Sequence, residues 1–129
     1  MKTNPVRVLI VDDEPAIRKS LSAFLDDYDY NVSSAETAEE ALSLLETRPH
    51  DVAIVDIRLP GMNGDTMIIE AQKNHPEMKF LVHTGSVHFS SSDAFPKIKI
   101  PIEQVFLKPQ HDMTLFAKAI NNLVDEPCT

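Results

Sequence analysis

The chain has 129 residues, 43% of them hydrophobic and 25% charged, with a net charge of −8. That length builds one domain with one sizeable core, and the composition is that of a globular protein, not a disordered or membrane-embedded one. The negative balance argues against this domain gripping nucleic acid or an anionic membrane through bulk charge. No apolar stretch approaches the roughly 20 residues a spanning helix needs. The N-terminus runs into a strand pattern without a signal-peptide apolar region. The single cysteine, Cys128, excludes a disulfide framework and a cysteine metal set, and is expected as an exposed tail thiol. A cytoplasmic protein is the expectation. Residues 1–5 are expected as a tail, 6–124 as the domain, and 125–129 as a tail or the start of a linker.

In chain order, residues 6–11 are rich in β-branched side chains and predict a first strand. Pro15 suits the first turn of a helix, where its missing N–H is not needed. Ile17, Leu21, Phe24, Leu25 and Tyr28 then recur at helical spacing, predicting a helix over about 15–28. Residues 30–34 predict a short second strand. Thr37 with Glu40 three residues on is a capping-box pattern. It opens a second helix with Ala38, Ala41, Leu42 and Leu45 as its buried stripe, stopping before Pro49. Residues 52–56 predict the third strand, an apolar run that ends in Asp56. Pro60, Gly61 and Gly64 break the run, and a third helix follows to about Asn74, before Pro76. Residues 79–83 predict a fourth strand, ending at Thr84 and Gly85.

Residues 86–101 carry four serines and two prolines and no sustained apolar period, so the spacing predicts at most one helical turn near 90–95. Residues 102–107 predict a fifth strand, closed by Lys108 and Pro109. Asp112 is the expected N-cap of a last helix, with Leu115, Phe116, Ala119, Ile120, Leu123 and Val124 as its buried stripe. Strands alternating with helices imply a parallel sheet covered on both faces, with right-handed crossovers. The expected class is α/β, a doubly wound five-stranded parallel sheet with the flavodoxin-like order 2-1-3-4-5 and a fourth helix that is short or irregular. That order is the one known for sheets of this size and does not follow from the residues themselves.

In that order, strands 1, 3, 4 and 5 are neighbours only about 4.8 Å apart, and each ends in a polar group. Asp12, Asp13 and Glu14 follow strand 1, Asp56 ends strand 3, Thr84 ends strand 4 and Lys108 follows strand 5. Carboxylates gathered on one rim repel unless a cation joins them or a pKa rises. Two or three carboxylate oxygens suit a hard cation such as Mg²⁺, which keeps waters and shares a phosphate oxygen. One carboxylate can attack phosphorus and form an aspartyl phosphate, while a lysine and a hydroxyl receive the phosphoryl oxygens. Taken singly, an acid at a strand end is commonly a solvated turn residue and an Asp pair commonly a helix cap; the joint pattern carries the reading. His50, His75, His83, His88 and His111 show no metal-ligand spacing and are expected as surface or satisfied core histidines.

These motifs resemble the receiver domains of two-component response regulators over about residues 6–124. The carriers are residues 11–14, residues 56–64, residues 76–85 and residues 106–109. The resemblance implies that Asp56 accepts a phosphoryl group from a phosphohistidine of a sensor histidine kinase or phosphotransfer protein. It implies that Asp13 and Asp56 ligate Mg²⁺ directly with the Arg58 backbone carbonyl, that Asp12 acts through water, and that Thr84 and Lys108 contact the phosphoryl group. It implies a downstream output domain or partner protein, allows a homodimer, and makes the domain no enzyme beyond its own phosphorylation and dephosphorylation. A phosphatase that forms an aspartyl phosphate is the rival enzyme reading. Such enzymes want a second acid close after the nucleophile, where this chain has Ile57 and Arg58. A pseudo-receiver used only for protein contacts is the third reading, opposed by the full acid, threonine and lysine set.

The chain departs from the family in two places. Three residues before the lysine, where members carry a rotating Tyr or Phe, stands Val105, and Phe106 should point to the other face of its strand. The segment that usually forms the fourth helix is degraded. Signalling is therefore expected to order or reposition residues 85–101 instead of turning an aromatic.

Overall fold

The computed structural model describes residues 6–85, 104–108 and 112–124. The strands are β1 (Arg7–Val11), β2 (Asn31–Ala35), β3 (Val52–Val55), β4 (Lys79–Thr84) and β5 (Val105–Leu107). The helices among the described residues are α1 (Pro15–Asp26), α2 (Ala38–Thr47), α3 (Gly64–Asn74) and α4 (Thr114–Val124). All pairings are parallel, in the order β2-β1-β3-β4-β5, as expected. The helical turn expected near 90–95, both tails, Cys128, His88, His111 and the proposed ordering of 85–101, beyond Gly85 itself, lie outside the described residues.

Alternation along the strands splits the core into two layers, because successive side chains leave a pleated strand on opposite faces. Leu9, Val11, Ala53, Val55, Phe80 and Val82 face α2 and α3, meeting Ala38, Ala41, Leu45, Met67, Ile68 and Ala71. Val8, Ile10, Val52, Ile54 and Leu81 face α1 and α4, meeting Leu21, Leu25, Phe116 and Ile120. β1 and β3 are buried on both faces, which is why they read as unbroken apolar runs. Val105 packs with the first layer and Phe106 with the second, its ring 4.7 Å from that of Phe116. The opposite facing expected for this pair is what the sheet shows.

Local signals explain the helix ends. Thr37 Oγ1 accepts the Glu40 N–H at 3.1 Å, and Glu40 Oε1 accepts the N–H of Glu36 at 2.8 Å, one residue earlier than a standard capping box would place it. Asp112 accepts the N–H of Thr114 at 3.1 Å and so caps α4. Helix α1 stops at Asp26, two residues short of the expected end. Asp29 takes a left-handed conformation (φ 65°), and the Tyr30 N–H closes back on the Leu25 carbonyl at 3.3 Å. Tyr28 thus leaves the helical stripe, its ring tilted against that of Phe24 at 5.0 Å and stacked on that of Tyr30 at 6.2 Å. Strand β2 lies one residue later than expected, and β3 stops at Val55, leaving Asp56 just beyond it. In α4 the buried set is Phe116, Ala117 and Ile120, while Leu115, expected inside, is 37% exposed because it lies on the flank away from the sheet.

Candidate functional site

Three side chains of the site sit on the first residue past a strand, each tied to the neighbouring strand by one more ladder bond. The Asp12 N–H donates to the Ala35 carbonyl at 3.1 Å, the Asp56 N–H to Val11 at 2.9 Å, and the Lys108 N–H to Thr84 at 2.8 Å. The acceptors are the last residues of β2, β1 and β4. The parallel ladder therefore carries its register one step beyond the apolar strands and presents Asp12, Asp56 and Lys108 at the same C-terminal edge, where α/β sheets bind ligands.

There the side chains converge. Lys108 Nζ lies 2.7 Å from Glu14 Oε2, 2.9 Å from Asp12 Oδ2 and 3.0 Å from Asp56 Oδ2. Asp12 Oδ1 accepts the Glu14 N–H at 2.9 Å, and Asp56 Oδ1 accepts the Arg58 N–H at 3.2 Å. Arg18 closes the α1 side by donating to the Asp12 carbonyl at 2.8 Å. Asp12, Asp56 and Thr84 are buried, while Asp13, Glu14 and Arg58 are exposed. The loop after β3 folds tightly onto the site. The Gly64 N–H donates to the Ile57 carbonyl at 2.8 Å, and a Cβ on Gly64 would stand 2.0 Å from the Asp56 carbonyl oxygen, so only glycine fits there. Gly61 supplies the positive φ (74°) of the same loop.

The electrostatics follow from burial and from one cation. Burial pushes the Asp56 carboxyl above its usual value, against the hydrogen bond and charge of Lys108, and Asp12 is raised for the same leading reason. Exposed Glu14 is held below its usual value by its hydrogen bond to Lys108. Burial alone would lower Lys108, but its bonds to Glu14, Asp12 and Asp56 outweigh this and raise it. The ammonium is therefore permanently charged at neutral pH. Asp12, Asp13, Glu14 and Asp56 can each offer an oxygen, all within 4.8 Å of one another. An all-oxygen, partly solvent-open donor set of this kind fits a hard divalent cation that keeps some of its waters.

The structure brings together Asp12, Asp13, Asp56 and Lys108 from the expected set. It places Thr84 next to Lys108 through the backbone bond above, and Arg58 on Asp56 through its N–H. Two participants were named in the sequence only as members of their motifs and given no role at the site. Glu14 makes the shortest contact to the lysine, a role whose only sequence signal is a third acid in the run after β1. Gly64 admits the close loop, and its signal is a glycine at the very start of a helix. The histidine expectation needs correction at His83. It is buried in the core as one of the two readings had it, yet neither ring nitrogen has a hydrogen-bond partner among the described residues. Its ring meets that of Phe116 edge-on at 5.0 Å. His50 and His75 are half-buried and stand apart from the acids.

Known proteins share this sequence pattern and fold. The family model for the response regulator receiver domain matches residues 8–120. The transcriptional regulatory protein GlrR of Escherichia coli K12 is 30% identical over 126 residues, 98% of this chain but 28% of that protein, so the chain spans about a quarter of that relative. A CheY-like response regulator receiver domain protein from Methanospirillum hungatei superposes with a TM-score of 0.84 at 30% identity, covering 96% of this chain and all of that one. The response regulator TrrA of Thermotoga maritima, solved with Mg²⁺ and BeF, gives 0.80 at 27% identity, covering 92% of this chain and 98% of that one.

Proposed function

This chain belongs to the receiver domains of two-component response regulators, and we propose that Asp56 is its phosphoacceptor, charged from the phosphohistidine of a sensor histidine kinase or phosphotransfer protein. The observation that carries the proposal is the Lys108 ammonium, drawn from another strand to within 3.0 Å of Asp56 Oδ2. In the transfer an Asp56 oxygen attacks phosphorus. The P–N bond breaks, and the electron pair leaves with the donor imidazole, which retains a proton. Desolvation makes the buried carboxylate a stronger nucleophile, while the hydrogen bond and charge of Lys108 favour its ionised form. As charge spreads over the phosphoryl oxygens, Lys108 and the Thr84 hydroxyl are the groups assigned to receive it.

Mg²⁺ is the proposed cofactor, held by Asp13 and Asp56 directly with the Arg58 backbone carbonyl, and by Asp12 through water. When bound, the ion offsets the charge of the phosphoryl group and of the acid cluster. The division of labour is supported by the existing contacts. Asp13 is exposed, so its carboxylate is open to an ion that keeps some of its waters, whereas Asp12 is buried beneath Lys108. The domain, proposed to run over 6–124, catalyses only its own phosphorylation and dephosphorylation. It passes the signal to an output domain or partner, to which any DNA contact belongs, and a second copy of the chain is a candidate partner. Among the described residues no helix is long and apolar enough to cross a membrane; the cytoplasm, where transcriptional regulators work, is the proposed setting. Acetyl phosphate or a kinase should add one phosphoryl mass to the wild type in the presence of Mg²⁺ and none to Asp56→Asn. Equal labelling of both would overturn the assignment.

A further inference from the structure

We propose that Glu14 is a charge gate on Lys108: it holds the ammonium in the unphosphorylated domain and weakens the site's grip on a phosphoryl group. The inference rests on the phosphoacceptor reading above. An ammonium has three donors, and three carboxylates claim them, Glu14 at the shortest distance of 2.7 Å. A phosphoryl group on Asp56 brings new oxygens that need the same donors, so a contact must be given up.

The three carboxylates are not equally able to leave. The side chains of Asp12 and Asp56 are 3% and 6% exposed, whereas that of Glu14 is 56% exposed. A buried carboxylate that loses its cation is left uncompensated, while an exposed one returns to water at little cost. Glu14 is therefore the arm that lets go. Its backbone does not have to move when it does. The Glu14 N–H is fixed to Asp12 Oδ1 at 2.9 Å, and the residue is held extended (φ −91°, ψ 114°) as the N-cap before Pro15. A constrained backbone thus aims a free carboxylate at the lysine. Competition for the ammonium and repulsion of an incoming phosphoryl dianion act in the same direction, so Glu14 shortens or weakens the phosphorylated state. It is a positioning residue, acting through Lys108.

The test is titration of the full chain with beryllofluoride, a phosphoryl mimic, at saturating Mg²⁺, read from the amide resonances of Asp56 and Lys108. Glu14→Gln, which keeps the shape and removes the charge, should bind about two- to fivefold more tightly than wild type, the upper part of the range expected of a partly exposed ion pair. Its phosphoryl group, loaded from acetyl phosphate, should be lost more slowly by a similar factor. Glu46→Gln, an equal charge change on the exposed face of α2, should alter the affinity by less than about twofold. In a Lys108→Ala background the gain from Glu14→Gln should largely vanish. Unchanged or weaker binding by Glu14→Gln overturns the gate, as does an equal gain from Glu46→Gln, which needs no lysine variant to fold. A wild type that takes neither beryllofluoride nor a phosphoryl group sinks the phosphoacceptor reading itself. A wild type that takes both, with Glu14→Gln unaltered, sinks only the gate.

Discussion

Replacing His83 by leucine should remove a pH dependence of folding that the wild type carries. The imidazole is 4% exposed and lies against the Phe116 ring. Burial, reinforced by the charge of Lys108 and opposed by that of Glu14, lowers its pKa from 6.5 to about 4. The unfolded chain takes up the proton near 6.5 while the fold refuses it until about 4, so the unfolded state binds more protons throughout that window. Stability from neutral His83 is therefore present above about 6.5 and lost as pH falls toward 4. A gap of about 2.5 units at about 1.4 kcal/mol each makes the full loss about 3 kcal/mol, of which about 2 kcal/mol has gone by pH 5. Asp12 and Asp56, both raised, carry the opposite sign, because the native state gains their protons first as pH falls. The measure is thus the difference between wild type and His83→Leu in urea unfolding at pH 7, 6 and 5. The variant should gain on the wild type by about 2 kcal/mol between pH 7 and pH 5. A difference that stays constant over that range would refute a buried, neutral His83.

Gly64→Ala should cost several kcal/mol in urea unfolding and impair phosphorylation, because a Cβ 2.0 Å from the Asp56 carbonyl forces the backbone of Asp56, the proposed phosphoacceptor, to shift; wild-type values for both would show that the loop yields freely. Asp13→Ala should lower Mg²⁺ affinity, measured by calorimetry, far more than Glu14→Ala, since Asp13 is the proposed direct ligand and Glu14 is engaged with Lys108; comparable losses would count against that geometry. Thr37→Ala should cost about 1 kcal/mol by removing the cap on the Glu40 N–H, with no effect on Mg²⁺ binding. A Mg²⁺ affinity that moved with it would show that α2 supports the acid cluster.

Much of this protein was legible in its residue order wherever the governing interaction spans only a few residues. The double-sided burial of β1 and β3 is written in unbroken apolar runs. The Thr37 cap is written in a side chain three residues from its partner, and the placing of Asp12 and Asp56 at strand ends in the abrupt change from apolar to acid. The strand order was taken from what is known of doubly wound sheets of this size, because local pattern does not contain it. What only the tertiary structure decided depends on neighbours brought in from far along the chain. Adjacent Asp12 and Asp13 look alike in sequence, yet one is buried under Lys108 and the other faces solvent, because successive side chains diverge where β1 ends. Glu14 reads as another turn acid until α1 and β5 set it on a lysine 94 residues away. Gly64 reads as a helix starter until the Asp56 carbonyl occupies the space of its missing Cβ. His83 reads like the other four histidines until the parallel register sets it beside Phe106 and α4 lays Phe116 across it. Periodicity and capping act along the chain, whereas burial, ion pairing and proton affinity are set by whichever segments fold against a residue, and that is settled only when the sheet closes over both of its helical layers.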